Sequence, residues 1–183
     1  MKKIVAIGPE STGKSTLCQQ LATHYQSRWV PEFAREYLET NGTDYSYPDL
    51  ITIAEGQIQL EDHIAHELQN SQQNHANQKP LFIDTDMYVM KVWCEFVFGK
   101  CYQYIIDQIV ERKYDLYLLC NTDLPWAFDP LREYPNPEIR KELYATYKDI
   151  LINQSTPWVD ISGDSTQRFS TAISAIERLS VEA

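Results

Sequence analysis

The sequence predicts an α/β fold: five parallel strands in one sheet, with helices packed on both faces. Three observations predict it. Short apolar runs alternate with amphipathic stretches along the 183 residues, the order that builds right-handed crossovers between parallel strands. Within the first run the apolar residues do not alternate with polar ones, so both sides of that strand are to be covered. The third is "IGPESTGKSTL", in which Gly8, Gly13, Lys14 and Ser15 spell G-x-x-x-x-G-K-[ST] between a strand and a helix. That arrangement makes the fold a P-loop NTPase.

The elements follow in order. Residues 2–7 form the first buried strand. Residues 14–26 carry Leu17, Leu21 and Tyr25 at fourfold spacing, one face of a helix. Residues 28–30 are a short second strand ended by Pro31, and residues 32–39 return to helix, closed by Asn41-Gly42. A long helix runs from residue 49 to about 73, with Leu50, Ile53, Ile58, Leu60, Ile64 and Leu68 as its apolar face. Residues 71–78, rich in Asn and Gln, are expected to fray into a loop. Residues 81–83 are the third strand, followed by helix through Phe98 and Gly99 and a short helix over 102–112. Residues 115–120 are the fourth strand. Four prolines between residues 121 and 137 exclude regular structure for most of that segment. Helix over 138–153, a fifth strand over 158–161 and a helix over 165–179 complete the chain. No repeat or linker interrupts it, so residues 1–183 are expected to form a single domain.

Composition narrows the function. A net charge of −10 repels polyanions, so nucleic acid is not an expected partner. No apolar run approaches the roughly 18 residues of a membrane span. The apolar stretch 4–7 stops at Gly8-Pro9-Glu10, too short for a signal peptide. A cytoplasmic protein without membrane contact is expected. Cys18, Cys94, Cys101 and Cys120 form no C-x-x-C pair and read as free thiols. His63, His66 and Glu67 stand in the order H-x-x-H-E, which is no zinc-enzyme pattern, and read as a solvated helix face.

In parallel sheets ligands bind beyond the carboxyl ends of the strands, so the residues after each strand are the site candidates. After the first strand, Gly8, Pro9, Glu10, Ser11, Thr12, Gly13, Lys14, Ser15 and Thr16 offer ATP a nest of backbone amides at a helix N-terminus. Lys14 is placed to reach the β- and γ-phosphates, and Ser15 to bind Mg²⁺. After the second strand, Glu32 is placed to take the proton of an attacking hydroxyl or hold it in line, with Arg35 on the same side; Asp84 and Asp86 stand beside it as candidates for the base. The alternative for Glu32 is a helix start favoured by the macrodipole. After the third strand, Asp84 is a metal-holding carboxylate, and Thr85 stands where a water-activating ATPase commonly has Glu. Asp86 either binds substrate hydroxyls or caps the helix at Met87.

The guanine-binding pattern [NT]-K-x-D is absent, and Asp160 to Gly163 is a D-x-x-G string after the last strand, so a GTPase switch is disfavoured. After the fourth strand, residues 121–140 form an expected lid in which Arg132 and Arg140 neutralise phosphate charge, with Asp129 and Glu133 beside them. After the fifth, Arg168 is expected to stack on adenine.

The segments "GPESTGKSTL", "VPEFAREYL", "FIDTDMYVMKVWCEFVFGK", "YDLYLLCNTDLPWAFDPLRE" and "ISGDSTQRF" together resemble the AAA-type ATPase-like kinase domain of NadR-type proteins, the ribosylnicotinamide kinases. The resemblance covers nearly the whole chain and implies a nucleoside/nucleotide-kinase-like fold with a lid. It implies transfer of phosphate from ATP to the ribosyl 5′-hydroxyl of nicotinamide riboside, with Asp84 and Asp86 by metal and riboside and Arg132 in the lid. NadR-type proteins usually place a nucleotidyltransferase domain before this kinase domain. Here the kinase segment starts at residue 1, so neither adenylyl transfer nor a repressor role is expected. At Phe128-Asp129-Pro130 the chain departs from bifunctional members, which tend to have a second acid and a glycine. Tyr88 and Trp93 offer aromatic faces for a cationic pyridinium, or else belong to the core. The competing readings are an ATP-hydrolysing regulatory module and a kinase of another nucleoside-like acceptor.

Overall fold

The computed structural model describes residues 1–71 and 78–181. Five parallel strands, β1 (Lys3–Ile7), β2 (Arg28–Val30), β3 (Leu81–Asp84), β4 (Leu116–Cys120) and β5 (Trp158–Ile161), form one sheet in the order β2-β3-β1-β4-β5. The first strand in sequence is therefore the central one in space. It pairs with β3 through Lys3↔Leu81 to Ala6↔Asp84 and with β4 through Ile4↔Leu116 to Ile7↔Leu119.

Successive side chains of a strand point to opposite faces, and the core divides accordingly. Ile4 and Ala6, with Phe82 and Leu118, pack under α1 (Lys14–His24) and α7 (Ser165–Val181) through Leu17, Leu21, Ala172 and Ile176. Val5 and Ile7, with Ile83 and Leu119, face α3 (Tyr47–Ser71), α4 (Met87–Phe98) and α6 (Pro137–Ile152) through Leu68, Val89, Val92, Leu143 and Tyr147. A third cluster joins Ala34 of α2 (Phe33–Asn41), Leu50 and Ile53 of α3, Met90 of α4 and Ile105 of α5 (Gln103–Glu111). This last cluster contains no strand residue. It builds a helical wall beside the sheet.

Most predicted elements stand where the patterns put them, and the differences have local causes. The long helix starts at Tyr47, because Pro48 fits a first turn whose amides need no helical acceptor, and Asp49 accepts from the Ser46 amide at 2.7 Å. Pro137, expected in the loop, opens α6, with the Asn136 side chain capping the Glu138 amide at 2.8 Å. Glu32 is the residue before α2 rather than its first helical one. The expected fraying of residues 71–78 lies mostly outside the described residues. Cys18, Cys94 and Cys120 are buried free thiols and Cys101 is half-buried. His63 and Glu67 are exposed and face one another at 3.5 Å. Among the described residues, no helix is long and apolar enough to cross a membrane.

At the amino ends of the strands, opposite the P-loop, α3 is fastened to the sheet by one buried carboxylate. Glu61, 2% exposed, accepts from Lys3 Nζ at 2.7 Å, Arg112 Nη1 at 2.8 Å and Tyr114 Oη at 2.9 Å. Arg112 also grips Asp62 through Nη2. Removing Glu61 takes the acceptor from Lys3 and Tyr114 and leaves the largely buried Arg112 only the exposed Asp62 as counter-charge. Glu61→Ala is expected to lower unfolding free energy by about 3–5 kcal/mol, read as a lower urea midpoint at neutral pH.

Candidate functional site

The P-loop turns back at the carboxyl end of β1, wedged against β4. Gly8 has φ 138°, and a Cβ there would lie 2.7 Å from the Cys120 carbonyl oxygen, so no side chain fits. Gly13, at φ 78°, ends the loop as the residue before α1. Between them Thr12 is fully buried and its hydroxyl donates to the Pro9 carbonyl at 2.7 Å. The first amides of α1 have no helical acceptors and are available to an anion. Lys14 Nζ donates to the Pro9 carbonyl at 2.9 Å, folded across the loop it would otherwise extend beyond.

Arg168 does not present a face for a base to stack on. It is 5% exposed, with Nε on the Gly163 carbonyl, Nη1 on the Thr12 carbonyl at 3.0 Å, and Nη2 on the Asn121 carbonyl and the Asp123 carboxylate. The structure thus corrects the expected adenine contact. The guanidinium is a brace tying the P-loop to the ends of β4 and β5.

Asp84 ends β3 next to the P-loop. It is 1% exposed and neither carboxylate oxygen has a hydrogen-bond partner. Burial, then the nearby Glu32 charge, pushes its pKa up, while Lys14 and the Ser15 hydroxyl pull it down. A buried carboxylate without a partner beside a hydroxyl is a donor set that suits a hard cation. Thr85, which follows, has φ 80°, a left-handed conformation costly for a β-branched residue. The turn directs its hydroxyl to Glu32 Oε1 at 3.4 Å.

Glu32 is set in place from behind. The buried Gln57 side chain accepts from the Phe33 amide at 2.7 Å and donates to the Pro31 carbonyl at 3.3 Å, clamping both neighbours of Glu32. Gly56 makes room for the Phe33 ring, which a Cβ would meet at 2.1 Å. Neither residue was anticipated from the sequence. A glycine inside a long helix was the available signal, since it weakens the helix unless something packs there.

The proline-rich segment closes over the P-loop. Glu10 accepts from the backbone amides of Glu133, at 3.1 Å, and of Tyr134. Ser11 Oγ accepts from the Ala127 amide at 3.1 Å and from Arg132 Nη1 at 3.2 Å. Arg140 Nη2 reaches the Ser11 carbonyl at 3.1 Å, and Arg35 pairs with Asp129 at 2.7 Å. Burial raises the Glu10 pKa, against the two amides and Lys14, which favour its charge.

Together these elements enclose a cavity of about 350 Å³. Residues 8–16, Glu32, Arg35, Trp93 and Arg132 line it, as expected from their positions in the sequence. Val89, Val92, Trp93 and Phe96 form the α4 side, at helical spacing. Asp86 and Tyr88 are not on it. Asp86, 2% exposed, caps α4 by accepting from the Tyr88 and Val89 amides at 3.0 and 3.3 Å, and accepts from Tyr117 Oη at 2.9 Å. Burial pushes its pKa to about 7. Tyr88 packs with Tyr117, ring centroids 5.8 Å apart. The alternatives weighed for both, helix cap and core, are the ones the structure realises.

The model of a family described as an AAA domain matches residues 3–168. The chain belongs to that AAA domain family. It is 27% identical, over 98% of its length, to the trifunctional NAD biosynthesis/regulator protein NadR of Escherichia coli strain K12, and covers 43% of that relative. The chain thus spans less than half the length of the curated relative it matches. Solved structures of NadR protein, one in complex with NR and one with NAD and AMP-PNP, superpose with a TM-score of 0.72 at 23% and 22% identity. They are covered to 49% of their length, against 97% of this chain. Thymidylate kinase from Ehrlichia chaffeensis shares the fold end to end, with a TM-score of 0.62 at 12% identity over 97% of this chain and 98% of that one. The fold is that of the P-loop kinases.

If Asp86 is a helix cap, Asp86→Ala should cost roughly 1–2 kcal/mol of stability, and Asp86→Asn less. Both variants are expected to bind an ATP analogue within about twofold of the parent, since a cap outside the cavity lining adds no phosphate contact. Denaturant titration and calorimetry check the two halves separately.

Proposed function

We propose that the chain is an ATP-dependent kinase that phosphorylates nicotinamide riboside on its ribosyl hydroxyl, giving the mononucleotide in a step of NAD biosynthesis. The observation that carries this reading is one cavity in which the P-loop, Glu32 and Arg35 at the start of α2, and the aromatic Trp93 and Phe96 of α4 are contiguous. A donor phosphate on the loop and an acceptor hydroxyl at Glu32 then share one water-poor space, the arrangement that phosphoryl transfer needs. The similarity to NadR, whose structures hold NR in one case and AMP-PNP in another, supports this acceptor.

In this reading the amides of residues 8–16 and the Lys14 ammonium bind the ATP phosphates. Lys14 leaves the Pro9 carbonyl to do so. Glu32, held by Thr85 and by the Gln57 clamp, accepts the proton of the acceptor hydroxyl as that oxygen bonds to the γ-phosphorus and ADP departs. Arg132 and Arg35 face the same space and stabilise the charge that spreads over the transferring oxygens. A Mg²⁺ held by Ser15 and, through water, by Asp84 would offset phosphate charge. Trp93 lends an aromatic face to the pyridinium ring. The enzyme acts in the cytoplasm.

An ATP-consumption screen over ribosides and nucleosides, with mass detection of the product, tests the reading. Nicotinamide riboside should give the mononucleotide, and no phosphorylated product from it would sink the assignment. Lys14→Ala is expected to abolish transfer. Glu32→Gln should lower kcat by about 10²–10⁴ with little change in the KM for ATP, measured by initial rates.

A further inference from the structure

Beyond the contacts of Ser11, Arg140 and Arg35, two further grips on the lid fall on one pair of residues, Glu133 and Tyr134. On the donor side Glu10 of the P-loop accepts from the amides of Glu133 and Tyr134. On the acceptor side the Glu133 carboxylate accepts from Tyr45 Oη at 2.9 Å, and Tyr45 Oη in turn accepts from Trp93 Nε1 at 2.8 Å. Tyr45 lies between α2 and α3, outside the cavity lining, and its ring stands edge-on to Trp93 with centroids 5.0 Å apart. Tyr134 closes the same wall from the lid side, edge-on to Phe96 at 5.2 Å. Burial raises the Tyr45 pKa, which keeps the phenol a hydrogen-bond donor.

We infer that Tyr45 is a positioning residue that couples the acceptor wall to the lid, through the chain Trp93–Tyr45–Glu133 and onward to Glu10 of the P-loop. The hydroxyl uses both its capacities in this chain, accepting from the wall and donating to the lid. When an acceptor ring fixes Trp93, the chain holds Glu133 and Tyr134 where their amides reach Glu10. A displaced Trp93 loosens the lid over the donor phosphates. The consequence is that water gains access to the γ-phosphate when the chain is broken, so ATP is hydrolysed instead of transferred. This rests on the kinase reading only for its catalytic consequence.

The first measurement is amide hydrogen exchange on the ligand-free protein, which is independent of any acceptor. In Tyr45→Phe and Glu133→Ala the amides of residues 133 and 134 should exchange about tenfold faster, with α1 amides unchanged, because a hydrogen bond that holds the lid closed sets its opening equilibrium. Glu133→Gln, which keeps an acceptor oxygen, should stay within about threefold of the parent on the same grounds. The double variant Tyr45→Phe/Glu133→Ala should be no faster than either single, since both remove one shared bond. Unchanged exchange in Tyr45→Phe, or effects that multiply in the double variant, would overturn the coupling. With the acceptor that the screen identifies, Tyr45→Phe should raise the ratio of ATP hydrolysed to acceptor phosphorylated by about tenfold, with the KM for ATP within twofold. An unmoved ratio overturns the catalytic consequence. Faster exchange in a protein that phosphorylates no riboside supports the coupling and refutes the acceptor assignment alone.

Discussion

The close approach of the P-loop to β4 is the constraint from which the rest follows. At Gly8 there is no space between loop and strand for even one carbon, because the Cys120 carbonyl occupies it. The loop is thereby pressed into the crevice at the end of the central strand, where neighbouring strands lead away to opposite sides. Thr12 and Arg168 fix the rest of its path, one from within and one from the strand ends. With the loop fixed, Asp84 at the end of β3 and Glu32 beyond β2 converge on it from the other side. The sheet order, not proximity along the chain, brings these acids to one loop.

The charge distribution serves the same end. A chain of net charge −10 cannot draw in a nucleotide with its overall field. The attraction is local. Lys14, Arg35, Arg132 and the unpaired amides of α1 gather around the cavity. Several of these cations are occupied by the protein itself: Lys14 by the Pro9 carbonyl, Arg132 by Ser11 and Ala127, Arg35 by Asp129. An anionic ligand there would exchange these contacts for its own, so binding would change partners more than create them.

Much of this was legible in the sequence, for reasons that can be named. Apolar runs without alternation marked the strands of the sheet interior, and the spacing of glycines, Lys14 and Ser15 located the phosphate loop. The strand-end rule correctly brought Glu32 and Arg132 to the cavity. It failed for Asp86, Tyr88 and Arg168, because the rule identifies an end of the sheet and not the direction of a side chain. Tyr88 and Trp93 are five residues apart on a helix and therefore point about 140° apart; only one could face the cavity. The residues at positions 89, 92, 93 and 96 share that face instead. Gly56 left a signal, a glycine within a long helix, without its reason, and Gln57 and Tyr45 were invisible because their roles depend on contacts between elements distant in the chain. Spatial strand order is of the same kind.

The Glu10 clasp bears on how the chain can change. It grips the lid by two backbone amides, groups that almost any residue supplies. This clasp therefore does not use the side chains at those positions, which leaves Glu133 to grip Tyr45 and Tyr134 to pack on Phe96. The clasp itself bars only proline from the two positions. A lid built this way divides its fastening: at Glu10 it is written in the main chain, and at Ser11, Arg35 and Tyr45 in the side chains that the segment carries.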